Sequence, residues 1–143
     1  MVSQGRFPAE KLVKYPHMTI EDIPVWERYL DAHASEWGSF DYDVRVGTGL
    51  RDTSGLDPRF ADMAQSLSKL RIDAVGYRAN EICVFEVKPR AGLSAFGQIV
   101  GYRSKYVETF APSVAVTACV VAEAVLDDVA DLLATFDVRL VLV

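Results

Sequence analysis

Asp73, Glu86 and Lys88 fall in one stretch, RIDAVGYRANEICVFEVKPRAGLSAFGQIVGY, residues 71–102, in the order D-x12-E-x-K. Two carboxylates and an amine of this kind can build a metal site for phosphodiester hydrolysis, provided the chain brings them together. The flanking residues supply the means. RIDAVGY and EICVFEV are β-branched and aromatic runs separated by a short polar break at Ala79 and Asn80, the pattern of a β-hairpin. A two-residue loop at Ala79 and Asn80, or a four-residue loop from Arg78 to Glu81, gives one register, in which Asp73 faces Glu86. Opposed side chains share a sheet face with Cβ atoms about 4.5 to 5.5 Å apart, and the period of two puts Lys88 on that face as well. A three-residue loop would slip the register and turn Asp73 to the other side.

Facing carboxylates raise the cost of ionising one another, and a cation removes that cost. Mg²⁺ suits such a pair, with Mn²⁺ as a substitute, because it takes carboxylate oxygens, keeps several waters and completes its shell with phosphate. A bound ion of this type polarises a phosphoryl oxygen and lowers the pKa of a water. Lys88 would orient the attacking water or stabilise charge on the phosphorane. The competing reading is structural: an ion pair of Lys88 with Glu86 or Asp73, or of Asp73 with Arg71, that satisfies buried carboxylates with no metal.

These residues resemble the PD-(D/E)XK nuclease superfamily, the restriction-endonuclease-like fold. Asp73 is similar to the motif aspartate and Glu86-Val87-Lys88 to the E-x-K element, although Ile72 stands where the family has proline. Gln98 and Tyr102 form a Q-x-x-x-Y pair like that of the helicase-associated and phage-exonuclease branch, and their spacing puts them on one helix face. The resemblance spans residues 19 to 121, and it implies metal ligation by Asp73, Glu86 and the Val87 carbonyl. It further implies Lys88 as the catalytic lysine, and Gln98 and Tyr102 as positioning groups. An acidic residue on the first helix completes the family pattern. Glu27, near the edge of that helix's apolar face, is the choice here, against the plainer reading of a solvated glutamate beside Arg28 and Asp31.

The net charge of −5 argues against a surface that grips nucleic acid throughout, but the charge is uneven. Residues 1–68 carry 7 basic and 11 acidic groups, residues 69–106 carry 7 and 3, and residues 107–143 carry 1 and 6. The one net-basic third holds the candidate site, so Lys69, Arg71, Arg90, Arg103 and Lys105 are the candidate phosphate contacts. A solvated helix and hairpin would look the same. The expected partner is nucleic acid, DNA before RNA.

With 143 residues, half of them hydrophobic, the chain has the size of a single domain with a real core. Residues 1–18 read as an extended arm, because Phe7-Pro8 and Tyr15-Pro16 disfavour helix, and residues 19–143 as one domain. The arm would dock a protein partner or a second copy, or else pack on its own domain. No apolar run is long enough to span a bilayer, and the first residues lack the apolar core of a signal peptide, so a cytoplasmic protein is expected. Cys83 and Cys119 lie in apolar runs as reduced structural thiols, and no zinc-ligand spacing exists.

A first helix is expected from Ile20 to Glu36, with Thr19 and Asp22 as a capping pair, then a half-buried strand over FDYDVRVG. Residues 47–68 form an excursion containing a short helix. After the hairpin come a helix from Gly92 to Thr109, a strand from Val114 to Val121, a helix from Glu123 to Thr135 and a strand from Val138 to Val143. The fold class is α/β: an αβββαβ restriction-endonuclease-like core, a mixed sheet flanked by helices, with an added C-terminal αβ unit. Two functions fit it. One is a Mg²⁺-dependent nuclease, active alone or only within a complex. The other is an assembly module of virion type on the same fold, virion-associated and with little turnover, docked through the arm and the terminal strand.

Overall fold

The hairpin forms as its residue pattern requires. Strands β3 (Leu70–Arg78) and β4 (Glu81–Ala91) pair antiparallel, closed by Arg78↔Glu81 around the Ala79-Asn80 turn. The Arg78 guanidinium reaches the Glu81 carboxylate at 2.6 Å across that turn. On the other side β3 pairs antiparallel with β2 (Ser39–Val46), whose polar residues alternate with buried Phe40 and Tyr42.

The computed structural model describes residues 5–52 and 54–143, without the side chains of Met63, Ser66 and Leu67. Within them one six-stranded sheet has the order β1-β2-β3-β4-β5-β6. The first strand, β1 (Phe7–Pro8), belongs to the arm and adds antiparallel to β2. The described part of the arm, from Gly5 onward, therefore packs on its own domain. Tyr15 and Met18 are buried, and Phe7 and Tyr15 both meet the Tyr42 ring edge-on at 5.3 Å.

Strands β5 (Ala115–Val125) and β6 (Arg139–Leu142) extend the sheet parallel to β4, joined by helices α3 (Leu93–Phe110) and α4 (Asp127–Thr135). The expected helix start at Glu123 is replaced by strand as far as Val125. Parallel pairing with the long β4, through Arg90↔Ala124 and Ala91↔Val125, outweighs the local helical spacing. The helix opens only at Asp127 and Asp128, acids that suit the positive end of a helix.

Helix α1 (Asp22–His33), followed by a 3₁₀ turn (Ala34–Glu36), covers the opposite face from α3 and α4. Its Val25, Trp26, Tyr29 and Leu30 are buried against Phe40, Tyr42 and Phe85. Trp26 Nε1 donates to Tyr42 Oη at 3.1 Å and Trp37 Nε1 to Tyr29 Oη at 2.9 Å, so the aromatic wall carries satisfied polar tips. The excursion holds helix α2 (Pro58–Leu67). Cys83 and Cys119 are free, buried thiols on neighbouring strands, and loss of water raises both of their pKa values. Among the described residues no helix is long and apolar enough to cross a membrane.

Candidate active site

The expected register holds from Arg78↔Glu81 to Ala74↔Phe85, and the ladder ends one step before Asp73 would meet Glu86. The β2–β3 ladder also skips Asp73, because Asp43 opposite it adopts a left-handed backbone with φ of 55°. Asp43 turns to Arg71 instead, in a two-pronged pair at 2.7 and 2.8 Å that holds its carboxyl below the usual range. Asp73 thus sits at a break in the sheet. Its Oδ2 accepts the free Val87 N–H at 2.9 Å, which fixes the carboxylate beside β4.

Glu86 is only 1 % exposed, and its Oε2 is buried with no hydrogen-bond partner. Its Oε1 lies 3.6 Å from Lys88 Nζ, too long for a strong charge-assisted bond, while the lysine side chain stays partly exposed. Burial pushes the Glu86 pKa up, the Asp73 charge pushes it further, and Lys88 opposes both. Asp73 is also raised, chiefly by burial, against the Val87 hydrogen bond.

The Asp22 charge also acts on the pair, helping to raise both of these pKa values. It lies in the first turn of α1 and is 6 % exposed. Sequence reasoning chose Glu27, but the structure gives that carboxylate another neighbour: it accepts the Tyr15 hydroxyl at 3.1 Å and so ties α1 to the arm. The signal for Asp22 was present, since it precedes Val25, Trp26 and Tyr29 at the spacing of the buried stripe. The same residue also reads as the capping partner of Thr19. The capping contact itself forms, with Asp22 N–H donating to Thr19 Oγ1 at 3.3 Å.

Helix α3 brings Gln98 and Tyr102 to the same place. Gln98 Nε2 donates to Tyr102 Oη at 3.4 Å, while Gln98 Oε1 is buried without a partner. Burial, with the nearby Glu86 and Asp73 charges, pushes the Tyr102 hydroxyl up to about 12. It is therefore a donor at any ordinary pH.

The candidate phosphate contacts separate. Arg90 is exposed at the end of β4, and Lys69 is partly buried before β3. Arg71 is held by Asp43, Arg103 donates to the Phe136 and Asp137 carbonyls at the end of α4, and Lys105 pairs with Glu108 at 2.8 Å. Among the described residues no group of three or more His, Cys, Asp or Glu side chains is arranged to hold an ion. A cation here would rest on two carboxylates, a backbone carbonyl and water. The donor set fits a hard divalent ion, which keeps most of its waters, and the partnerless Glu86 oxygen is the atom such an ion would satisfy.

No family model matches the chain, and no curated protein matches it. Among solved structures it is similar to the crystal structure of a repair endonuclease from Pyrococcus abyssi, at 16 % identity and a TM-score of 0.53. The match covers 92 % of this chain and 49 % of that one, so the chain spans about half the length of that structure. At this identity the likeness is one of architecture. The chain has a mixed six-stranded sheet flanked by helices, and in that it resembles a nuclease fold.

Proposed function

We propose that the chain is a metal-dependent nuclease that hydrolyses phosphodiester bonds of nucleic acid, DNA in the first instance, with a site similar to the Q-x-x-x-Y branch of the PD-(D/E)XK superfamily. The observation that carries this reading is the Glu86 carboxylate, buried with one oxygen unpartnered, next to Asp73 and with Lys88 one step along the strand. A structural ion pair would close that oxygen. Leaving a buried carboxylate half-satisfied is costly, and such groups concentrate where chemistry is done. This favours catalysis over an inert assembly module.

Asp73, Glu86 and the Val87 carbonyl would hold Mg²⁺, which when bound polarises a phosphoryl oxygen and acidifies a water. The chain's own groups do the rest. Lys88 places a positive charge beside the carboxylates, where it orients the attacking water or meets the charge that grows on the phosphoryl oxygens. Tyr102 Oη, kept protonated, donates a hydrogen bond to the strand, and Gln98 Oε1 is free to accept one. Asp22 adds negative charge that tightens the demand for a cation.

Labelled single-stranded and duplex DNA, and RNA, incubated with Mg²⁺ or Mn²⁺, test the proposal. Wild type should cut at least one of them, and Lys88→Ala should lower the rate by about 10² to 10³-fold while the fold is retained. Titration calorimetry should find Mg²⁺ binding that Asp73→Asn removes. Cleavage that survives both substitutions, or a wild type that cuts no substrate and binds no ion, would overturn it.

A further inference from the structure

A cleft of about 320 Å³ opens between the sheet and the C-terminal half of α3, lined by Asp41, Tyr77, Tyr106 and Phe110 among others. It is at the small end of the range for ligand sites. Its walls are aromatic. The rings of Tyr106 and Phe110 lie 4.8 Å apart, and Phe110 is about half exposed, leaving a face open to solvent. Its floor is polar and built. The Tyr77 hydroxyl, on a residue 6 % exposed, donates to Asp41 Oδ2 at 2.8 Å and approaches the Tyr106 hydroxyl at 3.5 Å. Asp41 Oδ1 accepts the Arg6 N–H at 2.9 Å and lies 3.6 Å from Arg6 Nε, so the carboxylate is fixed from both sides while each oxygen keeps further acceptor capacity.

Position adds to composition. Tyr106 is one helical turn beyond Tyr102, a rise of about 6 Å, and Tyr77 lies on the same strand as Asp73, about 13 Å along it. Val75 and Tyr77 share the α3-facing core with Tyr102 and Tyr106, and the Glu86 and Asp73 charges act on the Tyr102 hydroxyl, so α3 runs from the carboxylates to the cleft. A flat ring with an N–H edge fits these walls and this floor, and a nucleic acid carries such a ring on every residue.

We propose that this cleft is a subsite for one unpaired nucleobase of the strand being cut. The base stacks against Phe110 and turns its N–H edge to Asp41. Guanine, with two adjacent donors on that edge, is the base that such a carboxylate favours. This rests on the nuclease reading for the identity of the strand, and it implies that the substrate is single-stranded or opened where the cleft engages it.

The test is fluorescence anisotropy with a short labelled single strand of DNA, in Ca²⁺ so that binding is read without turnover. Phe110→Ala, at a half-exposed position, should weaken binding about tenfold. A scan with an abasic residue at successive positions should find one position where wild type suffers the same loss and Phe110→Ala suffers none further. Restoring guanine there should bind tighter than thymine in wild type and equally in Asp41→Asn. A flat abasic scan, unchanged binding by Phe110→Ala, or no binding of single strands overturns the subsite. Cleavage assays separate the two proposals: a strand cut by wild type with a flat scan removes the subsite alone, and a position-dependent scan with no cleavage on any substrate removes the nuclease reading alone.

Discussion

At the residue scale the candidate site is a pair of buried acids that folding makes reluctant to ionise. Asp73 and Glu86 have their pKa values raised on folding, so the folded chain holds protons that the unfolded chain releases. Below the unfolded carboxylate range, both states are protonated and nothing is lost. As pH climbs towards the Glu86 value of about 8, the native state is progressively destabilised relative to the unfolded one. In chelator, Glu86→Gln should therefore match the wild type near pH 4 to 5 and melt a few degrees higher at about pH 8. Added Mg²⁺ should close that gap for the wild type only. Thermal melts across pH check this, and a constant difference between the two proteins would contradict it. Asp73, Glu86, Lys88, Gln98 and Tyr102 were legible as a group because hairpin and helix periodicities are local. Asp22 was not singled out, since its approach to the pair depends on how α1 lies across the sheet, which no local pattern encodes.

At the element scale the hairpin and its turn followed from residue alternation, but the place where the ladders stop did not. That break depends on Asp43, two strands from Glu86, taking a left-handed backbone and pairing with Arg71. Likewise the extension of β5 to Val125 follows from parallel pairing with β4, a contact between segments far apart in sequence. The same dependence on distant neighbours governs Gly76. A Cβ there would lie 2.9 to 3.1 Å from the rings of Trp37, Phe40 and Phe85, drawn from three segments. Gly76→Ala should cost about 1 to 3 kcal/mol in urea unfolding through overpacking. A neutral result would mean that the aromatic wall is looser than its ring contacts indicate.

At the scale of the whole molecule the described part of the arm, from Gly5 onward, is part of the core. Gly5 touches the Phe40 backbone so closely that a Cβ would fall 2.3 Å from its carbonyl oxygen, and Tyr15 links Leu12, Glu27 and Tyr42. Tyr15→Ala should therefore destabilise the whole fold by about 3 kcal/mol rather than free a local segment, giving one cooperative transition at lower urea. Two transitions would instead mark the arm as a separate unit. In the sequence, the two X-Pro pairs announced an extended segment, yet they are silent on where it lies, because β1 pairs with a strand more than thirty residues away.

The burial of Cys83 and Cys119 turns the two sulfurs into an internal clock. Held as protonated thiols and buried inside the sheet, they resist iodoacetamide while the strands stay together, since only the thiolate attacks. Mass spectrometry of the native chain should record no adduct over hours, and denaturant should add both at once. The rate of that labelling then times the opening of β4 from β5, the pair of strands on which the whole α3 crossover hangs.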